Sequence, residues 1–419
     1  MTSEFPAFRS DFLRTMQARG YLHSISHSAE LDAAAAGSTV TGYIGYDATA
    51  PSLHVGNLIT IMMLRRLQQA GGKPIVVAGG GTTKIGDPTD RDSSRPMLSD
   101  DVINANIASQ RQAFAKFLRF GDGPTDAIVV NNDDWLSRFG YVQFLRDYGV
   151  HFSVNRMLAF DSVKLRLERE EPMTFLEFNY MLMQAVDFLE LNRRYDCSLQ
   201  MGGSDQWGNI LNGVELIRRV DRKPSFGLTT PLLSTSSGVK MGKTVAGAVW
   251  LNADMRSPYE YWQFWRNTED GDVGRFLRLF TDVAIDEIAR LEALRGSEIN
   301  AAKIVLANEA TTMLHGADAA REAEAAARAA FDGGVAAGLP TVDVTSAEFA
   351  AGMRLANALT RAGLAASNGE AKRLIEQGAV AVNDVVVADS NAALSAADVR
   401  DGAIKLTRGK TRHAAVKLV

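Results

Sequence analysis

Between about Thr39 and Val220, short β-branched runs alternate with helix-patterned segments, and this alternation constrains the fold more than any other feature. TVTGYIGY, PIVVAGGG, AIVVNN and CSLQMGG read as strands, several of them ending in glycine. NLITIMMLRRLQQAGG reads as a helix stopped by Gly71. Parallel neighbours cannot be joined by a tight hairpin, whereas a crossover helix reaches the next strand. The pattern therefore predicts an α/β region with a parallel sheet and crossover helices. In such sheets ligands bind beyond the carboxyl ends of the strands, so chemistry is to be sought there.

At 419 residues the chain has room for two or three domains. From about Ser257 to Phe331 the pattern is helical, from PYEYWQFWRN to the alanine-rich ADAAREAEAAARAAF. High helix propensity explains those alanines. DGGVAAGLPTVDVTSA reads as a linker, and the remainder, from about Met353 to Val419, as a small α+β unit. The net charge of −4 argues against general polyanion binding, so a nucleic acid must meet local basic patches. A single cysteine, Cys197, excludes an internal disulfide and a multi-cysteine zinc site and suits a reducing cytoplasm. No apolar run approaches the roughly 20 residues that cross a bilayer. The N-terminal MTSEFPAFRSDFLRTMQARG has no apolar signal core and predicts a short amphipathic helix with Phe8, Phe12, Leu13 and Met16.

Five stretches carry candidate chemistry. SSGVKMGKT is close to the phosphate-binding pattern G-x-x-x-x-G-K-[ST], but three residues rather than four separate Gly238 from Gly242. In YIGYDATAPSLHVGNLIT a strand ends near Tyr46, a loop carries Asp47, Thr49 and His54, and a helix begins near Gly56 or Asn57. Its free N–H groups and positive end make an anion site, and Gly56 would let a flat ring approach the backbone. The plain alternative is a strand–turn–helix with a surface histidine. GGGTTKIGDPTDRDSSR places Asp87 in a tight turn ahead of Arg91 and Arg95, or else is only a solvated loop. MTFLEFNYMLMQAVDFLELN reads as one helix, apolar nearly all round, with Tyr180, Gln184 and Asp187 sharing a face at i, i+4 and i+7. Such a stripe either faces water or lines a polar cavity. In QMGGSDQWGN, glycines at a strand end lead to Ser204, a candidate helix cap, and to Asp205, suited to ribose hydroxyls.

Taken together these segments resemble the bacterial tyrosyl-tRNA synthetases, a family of class I aminoacyl-tRNA synthetases, over essentially the whole chain. LHVGN is similar to the family's His-Ile-Gly-His signature, KMGKT to its Lys-Met-Ser-Lys-Ser signature, and GGSDQWGN is specific to this branch. The resemblance implies that Tyr43 and Asp187 bond the tyrosine hydroxyl. It implies that Tyr180, Gln184 and Asp87 hold the ammonium group, with Gln206 near the carboxylate. Gly45, Asp47, Gly56, Asn57, Gly203 and Asp205 would surround ATP's adenosine. Thr49 and His54 would stabilise the transferring phosphate. Arg91, Arg95, Lys240 and Lys243 would hold the leaving pyrophosphate. Asn57 stands where the second signature histidine is usual, Gly242 and Thr244 replace two serines, and Arg91, beside Asp90, stands where lysine is common.

The implied reaction activates tyrosine with ATP and transfers it to the 3′ end of tRNA(Tyr), by positioning and charge stabilisation rather than a protein nucleophile. ATP is then a substrate, Mg2+ is expected with it, and zinc is not. The implied fold is a Rossmann-like catalytic domain over 1–250, an α-helical anticodon-arm domain over 251–332, a linker over 333–350, and an α+β RNA-binding domain over 351–419. This last part resembles a module first known from a small-subunit ribosomal protein. Its Arg354, Arg361, Lys372, Arg373, Arg408, Lys410, Arg412 and Lys417 suit phosphate contacts. The family is homodimeric and cytoplasmic, and apolar faces between about Val129 and Leu158 are the expected interface. Rival readings are a tryptophanyl-tRNA synthetase, a P-loop kinase or ATPase, and a non-catalytic RNA-binding protein.

Overall fold

The computed structural model of the chain describes residues 5–87, 97–238, 241, 243–244, 247–331, 339–345, 348–349, 352–400, 402–409 and 412–419. Two compact units emerge, one of Met1–Ala248 with Arg278–Phe280, the other of Val249–Leu277 with Thr281–Val419.

The first unit is built on β1 (Ser24–Ile25), β2 (Thr41–Asp47), β3 (Lys73–Gly79), β4 (Ile128–Asn131), β5 (Leu199–Gly203) and β6 (Phe226–Thr230). Their order in the sheet is β1-β6-β5-β2-β3-β4. All neighbours are parallel except the short edge strand β1, which pairs antiparallel with β6 and was not part of the sequence reading. From β2 the chain steps through β3 to β4 on one side, and from β5 to β6 on the other. The order thus reverses between β2 and β5. These two strands pair only at Gly42↔Leu199 and Tyr43↔Gln200, so their carboxyl ends part and open a crevice between Asp47 and Gly203.

The helices of this unit are α1 (Asp11–Arg19), α2 (Ser28–Gly37), α3 (Val55–Gln69), α4 (Gly80–Thr83), α5 (Asp100–Phe117), α6 (Asp133–Leu136), α7 (Tyr141–Asp147), α8 (Val154–Leu158), α9 (Asp161–Glu168), α10 (Phe175–Phe178), α11 (Tyr180–Tyr195) and α12 (Trp207–Val220). Successive strand residues point to opposite faces. Tyr43 therefore faces α11, its ring 5.3 Å from that of Phe188, in a buried cluster with Ile75, Val77, Trp135 and Cys197. Gly42 faces α3, where a Cβ would lie 2.8 Å from Leu67 Cδ2. The N-terminal helix is capped by Ser10 and buries Phe12, Leu13 and Met16. After α3 the chain turns at Gly71, whose φ of +84° suits glycine.

One expected helix is two. MTFLEFNYMLMQAVDFLELN breaks at Asn179, because the Thr174–Glu177 capping box starts a single turn that Asn179 closes by donating its amide to the Phe175 carbonyl. Phe175 and Leu176 on that turn are exposed, so only the α11 part of the apolar pattern is core.

β7 (Lys243–Thr244) and β8 (Gly247–Ala248) form a separate antiparallel pair. In the second unit, helices Pro258–Arg266, Ile285–Glu292, Ile299–His315 and Ala317–Phe331 surround buried Trp262, Trp265, Leu291 and Leu306. β9 (Thr341–Val344), β10 (Val380–Val382), β11 (Val385–Val386), β12 (Ala403–Arg408) and β13 (Arg412–Leu418) make a five-stranded sheet in the order β11-β10-β12-β13-β9. Helices Leu355–Arg361 and Asn368–Glu376 contribute Leu359 and Ile375 to a core with Ile404, Leu406 and Val416. The stretch read as a linker over 333–350 thus contains a strand, since TVDV pairs parallel with β13 and joins the C-terminal sheet. Among the described residues no helix is long and apolar enough to cross a membrane.

Candidate active site

At the end of β2 the chain loops into α3, whose N-cap is His54, so the helix begins at Val55, just ahead of the Gly56 or Asn57 expected. Asn57 Oδ1 accepts the His54 backbone N–H at 3.1 Å and fixes the entry of the chain. Thr49 and Gly45 are exposed, and nothing lies within 4 Å of a Cβ built on Gly45. The bare backbone of Gly56 also meets close protein neighbours. A Cβ there would lie 2.7 Å from Cε1 and 2.8 Å from Nδ1 of His54, and 3.3 Å from the Met241 carbonyl. Met241 is itself anchored, its N–H donating to the Leu233 carbonyl at 3.0 Å. Met241 of the KMGKT stretch therefore meets the LHVGN stretch at Gly56.

On the crevice floor, Asp47 Oδ1 accepts from Thr82 Oγ1 at 3.2 Å and from the Tyr180 hydroxyl at 3.5 Å. Asp87 Oδ2 accepts from Gln206 Nε2 at 3.0 Å, and Gln206 Oε1 accepts from Gln184 Nε2 at 3.2 Å. Asn209, which sequence reasoning missed, ties the amides together by donating to Gln184 Oε1 at 3.1 Å and to Gln206 Oε1 at 3.2 Å. Ser204 is no helix cap. Gly203 caps a 3-10 turn, Ser204–Gln206, that runs directly into α12, and Asp205 is exposed on that turn.

The polar stripe of α11 is turned inward, with Tyr180 7% and Asp187 4% exposed. Each carboxylate oxygen of Asp187 accepts one hydrogen bond, from two residues that sequence reasoning missed. Asn132 Nδ2 donates to its Oδ2 at 2.9 Å and Trp135 Nε1 to its Oδ1 at 2.7 Å. Asn132 also donates to Thr82 Oγ1 at 3.0 Å and accepts the Gly81 N–H at 2.8 Å. Burial outweighs these bonds and pushes the Asp187 carboxyl up to about 7. The Tyr43 hydroxyl is buried without a hydrogen-bond partner among the described residues, and burial and the Asp187 charge push it well above the ordinary phenol range. An orphaned hydroxyl beside a tethered carboxylate is costly unless a ligand completes the pair.

Arg91, Arg95 and Lys240 lie outside the described residues, and Lys243 is described only as backbone in β7. Among the described residues no three His, Cys, Asp or Glu side chains cluster as metal ligands.

The family model for class I tRNA synthetases (W and Y) matches residues 36–332, and the S4 domain matches 353–399. The chain is 70% identical over 412 residues to the tyrosine–tRNA ligase of Caulobacter sp. strain K31, covering 98% of both chains. The chain belongs to the tyrosine–tRNA ligase family. It is also 58% identical to the tyrosine–tRNA ligase of Rhodospirillum rubrum, over 98% of this chain and 99% of that one. A C-terminally truncated mitochondrial tyrosyl-tRNA synthetase of Aspergillus nidulans has a similar structure, with TM-score 0.70 and 32% identity over 77% of this chain and 95% of that one. The family's activity is ligation of tyrosine to tRNA with ATP as substrate, on a class I catalytic domain followed by an S4 RNA-binding domain.

Within the S4 domain the expected phosphate-binding cations divide. Arg354 donates to Asn391 at 3.2 Å, Arg361 to the Asp343 carbonyl at 3.1 Å, and Arg412 to the Gly363 carbonyl at 2.9 Å. Arg408 donates to the Leu364 carbonyl at 2.8 Å and pairs with Glu370 at 3.0 Å. These four bond within the domain, Arg354 and Arg361 while exposed at its surface. Lys372, Arg373 and Lys417 are exposed, and Lys410 lies outside the described residues.

Proposed function

We propose that the crevice between β2 and β5 binds tyrosine with its ring directed at Asp187 and ATP across the strand ends. The observation that carries this is the Tyr43 hydroxyl, buried and unpartnered beside a carboxylate already held by Asn132 and Trp135. A phenol supplies both missing halves, donating to Asp187 and accepting from Tyr43. Tyr180, Gln184 and Asp87 hold the ammonium group, and Gln206 lies against Asp87 near the carboxylate. Gly45, Asp47, Gly56, Asn57, Gly203 and Asp205 surround the adenosine. Thr49 and His54 stabilise the phosphorus under attack, with the positive end of α3 behind them. Arg91, Arg95, Lys240 and Lys243 hold the pyrophosphate as it leaves. The tyrosine carboxylate attacks the α-phosphorus and displaces pyrophosphate, and the terminal ribose hydroxyl of tRNA(Tyr) then attacks the carbonyl of the tyrosyl-adenylate and expels AMP. Mg2+ would neutralise phosphate charge on ATP.

The anticodon arm is assigned to the helical region over 251–332 and RNA phosphates to the exposed Arg354, Arg361, Lys372, Arg373 and Lys417. A homodimer is supported by the large apolar side chains of Tyr141, Val142, Val150 and Val154, all exposed within the stretch expected at the interface. A cytoplasmic location is supported by cysteine usage, since the single Cys197 is buried and has no second cysteine to pair with.

The test is amino-acid-dependent ATP–pyrophosphate exchange with tyrosine, phenylalanine and tryptophan. Exchange with tyrosine alone is expected, and exchange with tryptophan would overturn the Tyr43–Asp187 pocket. The pH dependence adds a second expectation. Asp187 must be ionised to accept from the phenol, and its carboxyl titrates near 7. Because kcat/KM reports the free enzyme, it should fall about tenfold per pH unit below that value, and the inflection should vanish in Asp187→Asn.

A further inference from the structure

Asp187, Glu190 and Arg194 lie on one face of α11, spaced i, i+3 and i+7. Glu190 is a buried carboxylate, 7% exposed, and the mechanism above does not use it. Arg194 binds it closely, with Nε at 2.8 Å and Nη2 at 2.6 Å from Oε2. Arg193 is the second cation near it, but only at 3.7 Å, and its Nε and Nη2 are committed to Asp221 at 2.7 and 2.8 Å. The same Arg194 guanidinium stands 5.3 Å above the Trp135 ring, whose indole N–H holds Asp187. One surface-reaching cation thus touches both groups that govern Asp187: the carboxylate one turn away, and the ring that tethers it.

We propose that Arg194 is a positioning residue for hydroxyl recognition, fixing the Trp135 indole against Asp187 and neutralising Glu190. The proposal rests on the assignment of Asp187 to the tyrosine hydroxyl. The groups facing Asp187 are Tyr43 and Asp47 from β2, Asn132 ahead of α6, Trp135 on α6, and Glu190 on its own helix; Cys197 faces Tyr43. Without Arg194, Glu190 keeps only the distant Arg193, and its negative charge raises the proton affinity of Asp187. The indole meanwhile loses the cation packed on its outer face. Both effects weaken acceptance of the phenol, and neither reaches His54, Asp205 or Met241.

The experiment compares Arg194→Met, Arg194→Lys, Glu190→Gln and Asp187→Asn with the unmodified enzyme by pyrophosphate exchange across pH, with thermal unfolding alongside. Arg194→Met should raise KM for tyrosine about tenfold, leave kcat and KM for ATP within twofold, and move the acidic inflection of kcat/KM upward. Arg194→Lys, which keeps the charge but not the flat guanidinium, should fall between. Glu190→Gln should move the inflection downward and serves if Arg194→Met does not fold. An unmoved tyrosine KM and inflection in folded Arg194→Met, with Asp187→Asn impaired, would overturn the proposal alone. An Asp187→Asn enzyme with normal tyrosine KM would overturn the assignment beneath it.

Discussion

Asp187→Ala is expected to lower kcat/KM for tyrosine by roughly 10²–10³-fold in pyrophosphate exchange. The variant deletes the acceptor for the substrate hydroxyl, a charge-assisted bond of about 1.5–3 kcal/mol. It also strips one of two partners from Asn132 Nδ2, which keeps Thr82 Oγ1, and the acceptor from Trp135 Nε1, both buried. An unsatisfied buried donor costs about 1–3 kcal/mol, though part of that falls on free and bound enzyme alike. A net loss near 3–4 kcal/mol gives the stated range, at about 1.4 kcal/mol per tenfold. The fold should survive, because Asp187 is a carboxyl that burial already pushes up to about 7, and removing it also removes a desolvation penalty. Kinetics of the folded variant with tyrosine and ATP varied separately decide the matter. The loss should lie in the tyrosine terms, and activity within about threefold of the unmodified enzyme would contradict the pocket.

The candidate site was legible wherever its residues are local to one element or one strand end. Tyr180, Gln184 and Asp187 announce themselves by helical spacing, Asp47 and Gly203 by ending strands, and Asp87 and Asp205 by lying just beyond them. Asn132 and Trp135 were not found because their meaning is non-local. They reach Asp187 from 55 and 52 residues away, and α6, which follows Asn132 and carries Trp135, is only four residues long. The one available signal was the polar pair ending AIVVNN, a strand end like the others. The same limit explains β9. TVDV carries strand propensity, but only the distant β13 decides that it pairs. The break at Asn179 was hidden for the opposite reason, since a local capping box interrupted a longer apolar pattern. Arg408 and Arg412 show a third limit. Basic residues read alike in sequence whether they meet RNA or the carbonyls of Leu364 and Gly363.

Gly56→Ala should lower kcat for tyrosine activation about 10²-fold without destabilising the protein. Gly56 lies in the first turn of α3, where alanine is the better helix former by up to about 1 kcal/mol, so thermal stability should hold or rise. The added methyl has no room. It would lie 2.7 Å from Cε1 and 2.8 Å from Nδ1 of His54, closer than such atoms approach, with the Met241 carbonyl at 3.3 Å limiting retreat the other way. The imidazole must swing away from the position from which it would meet the transferring phosphate. Displacement of about 1 Å in a positioned group can cost 10²-fold in rate. Tyrosine binding should be spared, because Tyr43 and Asp187 lie on other elements, so KM for tyrosine should stay within twofold. A double-mutant cycle separates this account from general damage. If the methyl acts through His54, then Gly56→Ala should cost little more in a His54→Ala background, whereas additive losses would place its effect on the Met241 side of the contact.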